Sequence, residues 1–220
     1  MSRAISTLVA ILTLLASTLP AAADEPEPPK TPDAGEVSIL GPDESYAGVT
    51  RGEWDARWWQ WAQSFPVAIN PGVEMTGGEC GYGQSGPVFF LPGDATGEPV
   101  TTPTICVVPE GMAIFVFVGG SSCTTVEPPP FFGRNEEELR ACAAAATDGV
   151  TDLQASINGE EVPDLETYRT TSPLFTLALA EDNIYELPEG IALAVTAGTI
   201  LAVHDRFDPD TVDATLHSAR

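Results

Sequence analysis

Of the 220 residues, 32 are acidic and 9 basic, a formal net charge of −23, and 43% are hydrophobic. The apolar share supports a packed core and argues against wholesale disorder. The charge excludes nucleic acid and anionic membrane surfaces as partners, because both would repel it, and 20 Gly with 20 Pro disfavour an all-helical bundle.

Residues 1–23 read as a secretory signal. Arg3 supplies the positive start, Leu8 to Ala16 the apolar stretch, and Ala21-Ala22-Ala23 a small-residue cleavage site. The apolar stretch is short for a bilayer and no later segment reaches spanning length, so no membrane span is expected after cleavage. A secreted or periplasmic, monomeric protein is the expectation. Residues 24–45 read as a disordered, acidic, Pro-rich leader, with a short lead-in strand near Val37 to Leu40. The folded domain is expected over 46–203 and an acidic tail over 204–220.

Thr50 and Glu53 form a capping-box signature ahead of a helix that ends at Pro66. Trp54, Trp58, Trp61 and Phe65 share one face of it and are read as core. Arg57, Trp59 and Gln60 fall off that face. They are candidate ligand-binding residues, since an aromatic platform suits sugars or other flat apolar ligands. Gly83-Gln84-Ser85-Gly86-Pro87 looks like a serine-nucleophile turn, but Pro87 stands where the elbow needs Gly. Trypsin-like order needs an upstream His, and none precedes Ser85. The segment is read as a turn feeding a strand at Pro87 to Leu91.

Further strands are predicted at Ile105 to Val108 and at Ala113 to Val118, the latter ended by Gly119-Gly120. In the stiff loop Glu127 to Arg134, Phe131, Phe132 and Arg134 are a second candidate ligand-binding group. Asn135 caps a second helix, with Leu139, Cys142, Ala143 and Ala146 inward and Gly149 at its end. Asn158-Gly159 predicts a hairpin between Asp152 to Ile157 and Glu160 to Val162. Leu174 to Leu179, Ile191 to Val195 and Gly198 to Val203 complete the strands. Residues 204–211 are expected to be an exposed loop and 212–217 a frayed edge strand at most. This pattern predicts a mainly β protein, an antiparallel β-sandwich or jelly-roll-like domain with two short helices and two disulfides.

Four cysteines allow three pairings. The expected one is sequential, Cys80 with Cys106 and Cys123 with Cys142, each bridge contributing about 3 kcal/mol in the chain-entropy model. No Cys-x-x-Cys spacing exists and His204 and His217 lie far away, so no zinc site is expected. Asp205, Asp208, Asp210 and Asp213 are weak calcium candidates that lack the central Gly and final Glu of an EF-hand. No cofactor is assigned.

Several strings together resemble a group of bacterial signal-peptide proteins of uncharacterised activity. They are Trp54-x-x-x-Trp58-Trp59-Gln60-Trp61, Gly83-Gln84-Ser85-Gly86-Pro87-Val88-Phe89-Phe90-Leu91, Cys106-Val107-Val108-Pro109-Glu110-Gly111, and Pro129 to Glu136. The resemblance covers roughly 46–203. It implies export and paired cysteines and no catalytic residues. Members end on a Pro-Gly turn and a strand with a His-Thr-Ile-like segment, whereas this chain ends Phe207 to Arg220. The favoured reading is an exported, acidic, disulfide-stapled protein with a binding or structural role toward an extracellular ligand, a glycan or an apolar polymer. The alternative is a carboxylate-dependent hydrolase of an extracellular polymer, using Glu53 or Asp55.

Overall fold

The structure, a computed structural model, describes residues 38–73, 80–93, 106–157, 160–204 and the strand at 214–219. It is mainly β with two helices. The elements in chain order are β1 (Ser38–Ile39), β2 (Ser45–Tyr46), β3 (Val49–Thr50), α1 (Arg51–Gln63), β4 (Val88–Phe90), β5 (Ala113–Thr124), α2 (Glu136–Asp148), β6 (Thr151–Ile157), β7 (Glu160–Glu161), β8 (Arg169–Thr171), β9 (Phe175–Leu179), β10 (Gly190–His204) and β11 (Ala214–Ala219).

β10 is the axis of a six-stranded sheet. One of its edges pairs with β5; the other receives β9, β8 and β1 in succession. The sequence predicts two strands here, separated at Thr196-Ala197, and the protein makes one of 15 residues. Gly119-Gly120 likewise does not end β5. Gly120 lies opposite Gly198, and a Cβ on it would stand 2.3 Å from the Ala197 carbonyl oxygen, so glycine permits the ladder to pass rather than stopping it. A bulge follows: Thr199 pairs with Gly119 and Ile200 with Phe117, leaving Val118 as the extra residue.

Two expectations need correction. The central sheet is mixed, because β4 runs parallel to β5. A parallel neighbour needs a long crossover, and the connection from 91 to 112 supplies it. Cys106–Val108 forms no strand. The bond from Cys106 to Cys80, with Cα atoms 5.6 Å apart, ties this segment to the turn before β4 instead. The second disulfide, Cys123–Cys142, joins β5 to α2. Both pairings follow the predicted order.

A second sheet, β11-β6-β7, contains the predicted hairpin, with Ile157 opposite Glu160. The tail forms more than a frayed end: Ala214 to Ala219 pair along β6, two residues beyond the expected position. The four aspartates proposed for calcium lie outside the described residues.

The alternation of β5 sorts the core. Ala113, Phe115 and Phe117 point toward α1 and its tryptophans, whereas Ile114, Val116 and Val118 meet Ala155 and Ile157 of β6. Farther along the same face, Cys123, Val195 and Ala197 pack on Leu139 and Ala143 of α2. No helix among the described residues is long and apolar enough to cross a membrane.

Candidate functional site

α1 forms where the capping box predicts it. The Thr50 hydroxyl accepts from the Glu53 amide at 3.3 Å, and the Glu53 carboxylate accepts from the Thr50 amide at 2.9 Å. These bonds hold the Glu53 carboxyl below the usual carboxylate range. Three of the indole N–H groups then pin three separate segments: Trp54 donates to the Tyr46 carbonyl at 3.1 Å, Trp58 to Leu91 at 2.8 Å and Trp61 to Tyr82 at 2.8 Å. Trp58 also stacks on Phe117, with centroids 4.6 Å apart. These rings are structural fasteners, as buried tryptophans with a polar handle tend to be.

Trp59 is buried with them, contrary to its expected place outside the apolar stripe. It sits edge-on to Trp58 and Phe117. The stripe is wider than heptad-like spacing suggests because the helix packs against β9, β10, β8 and β5 together. Arg57 and Gln60 do stay outside. Arg57 lies 4.6 Å from the Trp54 ring centroid, and Gln60 donates to the Thr176 carbonyl of β9 at 2.8 Å. The platform expected of Arg57, Trp59 and Gln60 is therefore divided between surface and core.

The same helix buries a carboxyl. Asp55 is 0% exposed, and its Oδ2 accepts from the Thr196 hydroxyl of β10. Its Oδ1 has no hydrogen-bond partner, nor has the Trp59 Nε1. Burial pushes this carboxyl up to about 7, opposed by the Thr196 hydroxyl and the Trp59 indole, which favours the charged form without closing a hydrogen bond. Thr196 is fixed in turn by Ser172, whose hydroxyl accepts from the Thr196 amide at 3.0 Å. Gly52 lets the helix approach so closely: a Cβ there would lie 2.6 Å from the Thr171 carbonyl oxygen. One turn before Asp55, Arg51 is buried too. It donates to the Leu40 carbonyl and, at 2.6 Å, to that of Gly41, and lies 5.1 Å from the Tyr168 ring centroid. Burial lowers its pKa, partly offset by Tyr168, Asp43 and Glu44.

The second candidate group lies in the loop between β5 and α2. Phe132 forms a parallel bridge to Thr124, with the Thr124 amide donating to the Phe131 carbonyl at 3.0 Å and the Gly133 amide to the Thr124 carbonyl at 3.2 Å. Phe131 is exposed and Phe132 half-buried. Arg134 is exposed and pairs with Glu138 at 3.8 Å. The bonds described for Arg57 and Gln60 and those for Phe131, Phe132 and Arg134 share no residue, so the two predicted groups do not form one site through them.

Residues not singled out in the sequence make a clearer concavity. Val126, Leu179, Pro188, Glu189, Gly190 and Ile191 line a cleft of about 360 Å³ at the end of the central sheet. Ile191 is 69% exposed, Leu193 43% and Val126 41%. The Thr125 amide donates to the Leu193 carbonyl at 3.0 Å, and the Leu193 amide donates to the Thr125 hydroxyl at 3.1 Å. Strand periodicity turns the Ile191 amide and carbonyl the same way, past the point where β5 has ended. The cleft thus adjoins an open ladder position. Beside it, Glu127 is only 8% exposed and its Oε2 lacks a partner. Burial pushes that carboxyl up to about 7, opposed by the Thr124 hydroxyl. The exposed Ile and Leu at alternate positions in Ile191 to Val195 were the available sequence signal; apolar residues in a strand are usually read as core.

A larger hollow of about 520 Å³ beside the end of α2 is lined by Asp152, Glu161, Asp164 and Glu166 among others. Its one cation, Arg169, is engaged by Asp148 at 2.7 Å. No group of three metal-ligating side chains occurs among the described residues. Ser85 is exposed in its turn, and Gln84 explains the motif. Its side chain exchanges bonds with the backbone of Phe90 at 2.8 and 3.0 Å and donates to Cys80 at 2.8 Å, serving β4 as a one-residue strand partner. Compared with protein-family models, curated proteins and solved structures, the chain matches none.

Proposed function

We propose that this is an exported binding module, without catalysis of its own, that holds an extended apolar polymer in the cleft between Val126 and Ile191. The supporting observation is the pairing of three exposed aliphatic side chains with an open ladder position on β10. An extended polypeptide segment satisfies both, since its backbone can pair with the edge while alternate side chains enter the cleft. Glycan binding loses its main support because Trp54, Trp58, Trp59 and Trp61 are all buried. The net charge of −23 and Glu189 on the cleft wall favour a neutral or basic segment. Two disulfides suit a non-cytoplasmic compartment. The packing of β6 on the central sheet supports reading the scaffold as sandwich-like.

The test is binding of capped heptapeptides alternating valine with threonine or lysine, set beside a glycan panel. Wild type binds the peptides, and Ile191→Asp weakens binding at least tenfold, about the 1.4 kcal/mol of one buried aliphatic contact. Peptide binding that is absent, or unchanged by Ile191→Asp, removes the reading. The hydrolase alternative draws on Asp55, whose value near 7 suits a general acid. Against it, Asp55 is wholly buried and Glu53 is exposed two residues away, on the opposite side of the helix. Turnover of any polymer that disappears in folded Asp55→Asn would restore it.

A further inference from the structure

We propose that Asp55 and Glu127 form an acid-closed latch: both fold as neutral carboxylic acids, and their ionisation loosens α1 and the 125–130 loop from the β5–β10 pair. The geometry is shared. Asp55 hangs from Thr196 on β10. The Glu127 amide is held by the Thr124 hydroxyl on β5 at 2.9 Å. Thr196 pairs with Ser122 and Thr124 with Ala194, so the two threonines lie diagonally on the α1 face of the same strand pair. Each carboxyl is buried; Asp55 has the Thr196 hydroxyl and the Trp59 indole as its polar neighbours, and the Glu127 Oε2 has no partner. A buried carboxylate without a cation is costly, and the group neutralises instead.

Among the described residues, no cation is seen to pair with either carboxyl. Among the elements packed on α1, β3, β5 and β9 carry no charged side chain, and β10 carries only His204, at its far end. Arg169 of β8 is bound to Asp148. On α1 itself, Arg51 turns its Nη2 to the backbone carbonyls of Leu40 and Gly41 and leaves Nε and Nη1 unpartnered, Arg57 lies over Trp54, and Glu53 closes the capping box. Near Glu127 the cleft offers only Glu189, of like sign. Arg134 and Arg140 of the adjoining loop and helix are paired with Glu138 and Glu136.

The direction follows from proton counting. Folding raises Asp55 from its ordinary 3.8 to about 7 and Glu127 from 4.5 to about 7. The folded chain therefore binds more protons than the unfolded chain between these values. Stability is full on the acid side and is lost as pH rises through about 7. Exposed carboxylates are already ionised above pH 5, so they add no slope there.

Urea unfolding of the disulfide-intact protein at fixed ionic strength, from pH 5 to pH 8, tests this. The unfolding constant is expected to rise about tenfold or more per carboxyl. Asp55→Asn and Glu127→Gln should each remove part of that slope, and the double variant should be flat. A flat wild type overturns the latch. So does an undiminished slope in the double variant, which would assign it to His204 and His217. If a variant does not fold, carbon-13 titration of the wild-type carboxyls decides: two midpoints near 7 support the latch, and none above 5 overturns it.

Discussion

On one face of the central sheet, α1 closes the core with four indoles, three of which reach out to fasten remote loops. On the other, α2 and β6 close it with alanine, leucine and isoleucine, and a disulfide holds α2 to β5. The first face is assembled by large rings with directional bonds and encloses unpaired polar atoms. The second has small side chains in close contact and a covalent tie. Large aromatic surfaces can bridge irregular segments, whereas a short alanine-rich helix buries too little area to hold itself down.

The largest effect that would break this comparison is on the aromatic side. Trp58→Ala removes a stacked ring and frees the Leu91 carbonyl, and is expected to cost about 3–5 kcal/mol in urea unfolding. Replacing Cys123 and Cys142 together with alanine should cost less, about 2–4 kcal/mol, with hydrogen exchange rising first in α2. A disulfide variant less stable than the tryptophan variant would reverse the ranking of the two faces. Thr50→Ala, which opens the capping box of α1 without touching the core, should cost about 1 kcal/mol by thermal unfolding. A loss beyond twice that would show that the cap also governs how the helix seats.

Both helices, both disulfides and the Asn158-Gly159 hairpin were legible because their signals are local: a cap residue, a spacing, a turn pair. What was not legible depends on partners remote in the chain. Gly119-Gly120 reads as a strand end until Gly198 is placed opposite Gly120. Cys106 to Val108 has a strand's composition but no ladder to join. Trp59 looks external on a helical wheel and is buried because several strands surround α1. Among site residues, Arg57 and Phe131 are exposed, and only the position of Arg57 off the apolar stripe is readable from periodicity. The cleft at Ile191 was missed because no sequence rule tells an exposed strand end from a buried one.

β10 is also the last long strand to leave the ribosome. Among the described residues, three strands that precede it, β1, β8 and β9, pair only with β10, β5 pairs with it as well as with β4, and Ser38 waits for His204. Contacts of such sequence separation are closed late and slowly. A nascent chain cut off before residue 190 would lack the ladder that β1, β8 and β9 require. Beyond the β4–β5 pair, its central sheet is completed only once β10 is present.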